Sequence, residues 1–118
     1  MAVITVKNLE KDGEKMELEL AMGLTVHMPS GSVTKSIAQP GWKWSTHMKP
    51  LVGTELCEAP HFGLITEGSM TASQDGVETI YSAGDIVDMP SGHDAWVNGN
   101  VPAVYYEFSQ NPMGTHNK

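Results

Sequence analysis

The sequence predicts an all-β fold, a small antiparallel β-barrel of the jelly-roll type. Glycine and proline are spread along the chain, 12 and 7 in 118 residues, so turns separate many short segments. Several of these segments alternate polar and apolar residues, as half-buried strands do. No long window carries a convincing helical stripe, which excludes an architecture built on helices.

The first predicted strands lie in the N-terminal part of the chain. Residues 1–15 form an N-terminal arm or strand. One alternating run then places four apolar residues on a single face: Met16, Leu18, Leu20 and Met22. The next run, residues 24–28, places His27 on its polar face, where an exposed strand histidine is expected.

A hairpin and a closing strand are predicted in the C-terminal half. Residues 70–74 and 77–81 flank Asp75 and Gly76, a pair that favours a tight hairpin turn. Residues 103–108 are strongly β-prone. The polar tail, residues 109–118, is expected to be mobile or packed on a neighbour. The length predicts a single domain over residues 1–118.

The charge balance excludes several classes of partner. The net charge is -7, with 14 acidic residues and seven lysines. Nucleic acid is an unsuitable partner, because neutralising phosphates requires a basic face. The chain has no arginine, so an anionic substrate must be held by Lys, His, a metal or backbone N–H groups.

The chain contains neither a membrane span nor a secretory signal in its sequence pattern. No apolar run reaches the roughly 18 residues that a bilayer requires, and the N-terminus becomes charged within a few residues. We therefore expect a cytoplasmic protein with no membrane partner. The single Cys57 excludes an intrachain disulfide and any cysteine-rich zinc site.

Three histidines are candidates for a metal centre. His47 is predicted to end a strand that begins after Pro40 and Gly41, while His61 and His93 lie on two later strands. Three histidines converging inside a barrel could bind Fe, Zn, Ni, Mn or Cu and leave coordination positions open for substrate. The alternative is a metal-free pocket in which these histidines form only hydrogen bonds.

The sequence allows two interpretations for Lys49 and two for Cys57. Lys49 could hold an anion or act as a base if it points inward, but exposure to water is the simpler expectation. Cys57 shares a predicted strand face with His61, so it could be a further metal ligand. The alternative is a small buried hydrophobic residue, which a free cysteine often is.

One stretch of the chain resembles the second conserved motif of the cupin superfamily. That motif runs G-x5-P-x-G-x2-H-x3-N. Gly84, Pro90 and Gly92 match its spacing, and Asn98 lies one residue before its asparagine position. Ala95 stands at the motif's histidine position. His93 lies two residues earlier on the same strand face and is the closest substitute.

An earlier stretch resembles the first cupin motif, G-x5-H-x-H-x3-4-E-x6-G. Gly41, His47 and Gly68 match it, whereas Lys49 replaces the second histidine and His61 replaces the glutamate. The resemblance covers about half of the chain and is closest to small single-domain bacterial cupins, with altered metal-ligand motifs. It implies a β-barrel with a pocket that could contain the three-histidine site.

The resemblance implies two possible functions. The first is an enzyme, a dioxygenase, isomerase or lyase, that acts on a small polar organic substrate at a divalent metal. Its acid or base would come from Lys49, Glu107, Tyr105 or Asp88. The second is a barrel that binds a small molecule without metal or turnover. Small cupins commonly form dimers, and Trp42 and Trp44 could pack at a dimer interface, on a second sheet or at the pocket rim, so a homodimer is expected.

Overall fold

Two antiparallel β-sheets make up the protein, which a computed structural model describes over residues 3–110. The helices in these residues are single turns. The elements follow one another as α1 Leu9–Asp12, β1 Glu14–Leu18, β2 Ala21–Met28, β3 Gly31–Ala38, α2 Trp44–His47, α3 Lys49–Val52, β4 His61–Glu67, β5 Ser69–Gln74, β6 Val77–Ser82, β7 Ile86–Met89, β8 Asp94–Val97 and β9 Ala103–Gln110.

The strand order is that of a jelly-roll barrel. The larger sheet has six strands in the order β1-β2-β3-β9-β4-β7, and the smaller has three in the order β6-β5-β8. All of these pairs are antiparallel. The all-β prediction is therefore confirmed. None of the helices within residues 3–110 is long and apolar enough to cross a membrane.

The hydrophobic core lies between the two sheets. Ile65 on β4 is fully buried, and Ala103 on β9 and Met70 on β5 pack in the same cluster. These residues face inward because successive side chains along a strand point to opposite sides. Complete burial of a side chain such as Ile65 contributes about 1.5–3 kcal/mol to stability.

The predicted hairpin is confirmed as β5 and β6. Asp75 and Gly76 connect the two strands with φ angles of 51° and 79°, and Gln74 pairs with Val77 across the turn. Positive φ at both central residues is the geometry of a two-residue type I′ turn, which suits the twist of antiparallel strands. The predicted closing strand is also confirmed, as β9.

The apolar run over residues 16–22 is not one strand, so this prediction is wrong. β1 ends at Leu18 and β2 begins at Ala21. Between them Leu20 has a φ of 59°, and the chain reverses there. Met22 pairs with Glu17 across the hairpin, which places Met22 on the sheet face opposite Met16.

The prediction of a strand that ends at His47 is also wrong, because this segment contains α2, and α3 follows directly. The amide of His47 donates to the carbonyl of Lys43 at 2.9 Å, as in a helical turn. Trp44 at the start of α2 is only 6% exposed, so its packing fixes the turn. Pro50 lies in the first turn of α3, where its missing N–H costs nothing.

The predictions for the two ends of the chain are confirmed only in part. The predicted N-terminal arm contains α1, capped by the side chain of Asn8, and the start of β1. β9 continues to Gln110 and so includes the first two residues of the predicted polar tail. The rest of that tail, with His116, lies outside the described residues.

Candidate metal centre

A cavity of about 640 Å³ opens between the two sheets. Much of its wall is apolar, and the sulfur and imidazole side chains of Cys57, His61 and His93 also lie in it. Apolar residues of several elements contribute to this wall, among them Met16, Leu18, Trp42, Trp44, Met48 and Met70. Of the positions left open for Trp42 and Trp44, the structure thus supports the pocket wall, and the homodimer stays a prediction.

Cys57 is held against His93, which immediately precedes β8. Its amide donates to the carbonyl of His93 at 2.8 Å, and the amide of His93 donates back at 3.2 Å. The amide of Gly92 also donates to the carbonyl of Cys57, at 2.7 Å. This isolated β-bridge keeps the thiol beside His93, although Cys57 belongs to an irregular segment before β4.

His61 begins β4 and faces the cavity, on the same side of the strand as Gly63 and Ile65. Its Nδ1 lies 2.8 Å from Oε1 of Glu107 on β9, so the imidazole donates to the carboxylate. Nε2, on the opposite side of the ring, lies 3.6 Å from Sγ of Cys57. The hydrogen bond with Glu107 therefore leaves Nε2 available as a ligand.

His93 is oriented in the same way by a backbone group. Its side chain is almost fully buried, and its Nδ1 lies 2.9 Å from the carbonyl oxygen of Pro90. A carbonyl can only accept, so Nδ1 donates to it, and Nε2 is the ring nitrogen left to face the cluster. The rings of His93 and His61 meet edge to face, with centroids 5.0 Å apart.

The three side chains lie close enough together to form a metal site. One ligand atom from each of Cys57, His61 and His93 lies within 4.8 Å of the other two. A tetrahedral ion with usual bond lengths separates a sulfur ligand from a nitrogen ligand by about 3.6 Å. That is the distance between Sγ of Cys57 and Nε2 of His61.

The electrostatics of the cluster favour the thiolate form of Cys57. Burial by itself raises the pKa of Cys57, but the hydrogen bonds with His61 and His93 outweigh this effect and lower the pKa to about 6. For His61, burial opposes the charged form, while hydrogen bonds to Cys57 and Glu107 outweigh it and raise the pKa to about 9. A thiolate is the form in which cysteine binds metal, whereas the imidazolium of His61 must release its Nε2 proton to become a ligand.

The donor set therefore fits a divalent metal ion. Both imidazoles have their Nδ1 protons engaged, by a carboxylate and a carbonyl, as is usual for metal-binding histidines. One thiolate with two imidazoles suits Zn, Fe, Ni or Cu, whereas Mn prefers oxygen ligands. Three protein ligands leave at least one coordination position open for water or substrate.

The cluster shares two of its members with the predicted three-histidine site. Cys57, left open by the sequence, takes the place expected for His47, which is not in the cluster. Nδ1 of His47 lies 3.1 Å and 3.2 Å from the backbone nitrogen and oxygen of Lys43. Lys49, predicted as a possible base or anion ligand, forms an ion pair with Glu55 at 2.6 Å, outside the cavity wall.

The remaining candidate acids and bases lie at different places. Glu107 and Tyr105 line the cavity from the inner face of β9. The hydroxyl of Tyr105 is buried without a hydrogen-bond partner among the described residues. Burial, together with the charge of Glu107, raises its pKa. Asp88 lines a second, smaller cavity of about 450 Å³ instead, so the structure does not place it at the cluster.

The position of Cys57 follows from a spacing already present in the sequence. In the first cupin motif, four positions separate the second histidine from the glutamate in its shorter form. Counting back four positions from His61 leads to Cys57 rather than to Lys49. The match of His47 to the motif conceals this register, because it leaves His61 twelve positions after Lys49 instead of four or five.

Several solved structures share this fold. A sugar phosphate isomerase from a cupin superfamily, from Silicibacter pomeroyi, superposes with a TM-score of 0.65 over 92% of this chain and 76% of its own, at 17% identity. This chain has the cupin fold. KdgF from Halomonas sp. matches this cupin-fold chain with a TM-score of 0.61 over 95% of this chain and 97% of its own, at 19% identity.

A third similar structure is the polyketide cyclase RemF from Streptomyces resistomycificus. Its TM-score is 0.64 over 92% of this chain and 80% of its own, at 11% identity. No family model matches the cupin-fold chain, and no curated protein matches it either. At these identities the likeness establishes the fold, so the argument for function depends on the site itself.

Proposed function

We propose that Cys57, His61 and His93 bind one divalent metal ion, and that the protein is a metal-dependent enzyme for a small organic substrate. The observation that supports this most directly is the convergence of three ligand atoms within 4.8 Å. Both imidazoles are oriented by hydrogen bonds at Nδ1. A cavity large enough for a substrate surrounds the cluster.

Different residues of the chain would orient the metal ligands, exclude water and transfer protons at such a site. When bound, the metal would polarise a carbonyl or stabilise an enolate oxygen of the substrate. Glu107 fixes the tautomer and orientation of His61 through their 2.8 Å contact. The apolar wall excludes water and positions the substrate, and Tyr105 places a protonated hydroxyl close to Glu107 on the same strand face.

The reaction classes that best suit this arrangement are isomerase and lyase chemistry, with dioxygenation as the third class. The similar structures include proteins named as a sugar phosphate isomerase and a polyketide cyclase. These reactions move a proton next to a carbonyl group, which requires an acid–base residue of the chain; a Lewis acid would supply the polarisation of the carbonyl. Glu107 and Tyr105 are the residues for the acid–base role.

Metal content of the untagged protein tests the proposal. We expect about one equivalent of Zn, Fe, Ni or Cu per chain by elemental mass spectrometry, after purification or after reconstitution. Cys57→Ser, His61→Ala and His93→Ala should each lower the metal content sharply. His47→Ala is the matched control and should keep it, because His47 lies outside the cluster.

Two results would contradict the proposal. One is the absence of metal even after reconstitution, which would favour the binding protein without turnover. The other is metal that survives all three cluster substitutions but is lost in His47→Ala. That second result would place the metal at His47, away from the cluster.

A further inference from the structure

The charges around the cavity restrict what it can bind. Among residues 3–110, the charged side chains in its wall are the two carboxylates of Glu58 and Glu107, together with the imidazoles of the cluster. No lysine side chain of these residues lines the wall. The chain has no arginine that could serve instead. A carboxylate or phosphate on a ligand would therefore lack an ordinary partner.

Most of the described lysines are engaged elsewhere. Lys7 donates to a backbone carbonyl of β2, and Lys15 pairs with a glutamate two residues away. Lys43 stacks over the ring of Trp96 at 4.9 Å. Two more form ion pairs outside the wall: Lys35 with Glu10, and Lys49 with Glu55. These five lysines could reach the cavity only by breaking these contacts.

A bound metal would not reverse this balance. The two positive charges of the ion are matched by the thiolate of Cys57 and the carboxylate of Glu107, which lies 2.8 Å from a ligand histidine. Glu58 at the cavity then adds a negative charge that has no cationic partner in the wall. The loaded site therefore offers a coordination position for an oxygen atom but little net attraction for an anion.

The rest of the wall suits a flat apolar molecule. Two indole rings, Trp42 and Trp44, line it together with methionine side chains, which adapt to irregular ligand shapes. The volume of about 640 Å³ is in the usual range for ligand sites. Indole and methionine side chains favour aromatic ligands through apolar contact.

We propose that the substrate of this site is an uncharged ring compound with an apolar body and an oxygen that can reach the metal. This inference rests on the proposed function, since it names the substrate of that same cavity. It favours such a class over the small polar molecule expected from the sequence. An anionic sugar or phosphate ester is disfavoured by the carboxylates and by the lack of a lysine or arginine in the described wall.

Calorimetric binding of two matched probes tests the proposal. 2-Naphthol and 2-naphthoate share a ring system, but at neutral pH only the second is charged. We expect 2-naphthol to bind at least about tenfold more tightly than 2-naphthoate, because burying an unpaired carboxylate is costly. The titrations are run on both the metal-loaded and the metal-free protein, so that direct chelation is separated from the preference of the cavity.

A matched pair of variants tests the electrostatic part. Glu58→Gln should strengthen naphthoate binding by roughly threefold and leave naphthol binding unchanged, because the exposed carboxylate is partly screened by solvent. Glu78→Gln makes the same charge change on the exposed face of β6, outside the wall, and should change neither affinity. Leu18→Lys, which adds a cation to the wall, should shift the preference towards naphthoate.

The outcomes separate this inference from the proposed function. A preference for naphthol in a protein that binds no metal supports the substrate class and overturns the metal enzyme. A preference for naphthoate in the metal-free protein overturns the substrate class, whatever the metal content. Failure of both probes to bind protein that circular dichroism shows to be folded overturns it as well.

Discussion

Glu107 holds His61 in the orientation that a metal ligand requires. Oε1 of Glu107 accepts the Nδ1 proton of His61 at 2.8 Å, and Nε2 on the far side of the ring lies 3.6 Å from the sulfur of Cys57. Both side chains are three-quarters buried, each with 25% of its surface exposed. The carboxylate therefore acts on the metal centre through the histidine.

Replacing Glu107 with glutamine is expected to weaken metal binding by about tenfold, the lower end of the usual range for such partners. The amide can still accept a hydrogen bond from Nδ1, but it lacks the charge that makes the imidazole a stronger ligand. Competition against a chelator of known affinity measures the change. Glu78→Gln, on the exposed face of β6, serves as the control, and equal affinities in both variants would contradict the role of Glu107.

The sulfur ligand has its own spectroscopic signature. With Co²⁺ in the site, a thiolate ligand gives a charge-transfer band in the near ultraviolet, and Cys57→Ser is expected to abolish it. The serine oxygen is a harder and less acidic ligand, so the affinity should also fall. The His47→Ala variant should keep the band, because the imidazole of His47 contacts Lys43 and is not part of the cluster. A band that persists in Cys57→Ser would exclude Cys57 as a ligand.

Local patterns predicted much of the fold. Asp75 and Gly76 identified the β5–β6 turn, because their positive φ angles suit these residue types. Leu20 gave no such signal, since a leucine with a φ of 59° contradicts the ordinary preference. The helical turn at His47 was equally hidden, because it depends on the burial of Trp44, a tertiary contact that a short sequence window does not contain.

Only part of the candidate site could be predicted, again because some of its contacts are tertiary. His61 and His93 could be chosen because strand parity and the cupin motifs placed them on inward faces. Cys57 lies in an irregular segment, where parity gives no information, and only its backbone bridge to His93 brings it into position. The partner of His61 was also hidden, because Glu107 is 46 residues away along the chain.

Gly63 is expected to tolerate no side chain. A Cβ atom there would lie 2.0 Å from the carbonyl oxygen of Tyr106 and 2.9 Å from the ring and hydroxyl of Tyr105. Gly63→Ala should therefore lower the free energy of unfolding by about 1–3 kcal/mol, the usual cost of overpacking. Urea denaturation followed by circular dichroism measures this difference.

Gly23→Ala is the control for that substitution. Gly23 also lies within a strand of the larger sheet, but its added Cβ would come no closer than 3.8 Å to any neighbouring atom. The control should change stability by only a few tenths of a kcal/mol, in keeping with the small range of strand propensities. Equal effects of the two substitutions would show that crowding against Tyr105 and Tyr106 is not what requires glycine.

The stability of the protein is expected to fall in alkaline solution partly because of Tyr81. Burial raises the pKa of this tyrosine to about 12, while an unfolded tyrosine has a pKa of about 10. Above pH 10 the unfolded chain therefore releases a proton that the folded protein keeps. The stabilisation is complete below that pH and is lost as the pH rises towards the folded pKa.

Tyr81→Phe tests this contribution directly. The hydroxyl of Tyr81 has only a weak contact, 3.6 Å from the sulfur of Met70, so the variant should fold. Between about pH 10 and pH 11, the free energy of unfolding should fall by about 1 kcal/mol less in Tyr81→Phe than in the parent protein. Other titrating groups are common to both proteins and cancel in the comparison. Urea denaturation at several pH values measures this difference. If the free energy of unfolding falls equally with pH in both proteins, Tyr81 ionises at the same pH in the folded and unfolded chains.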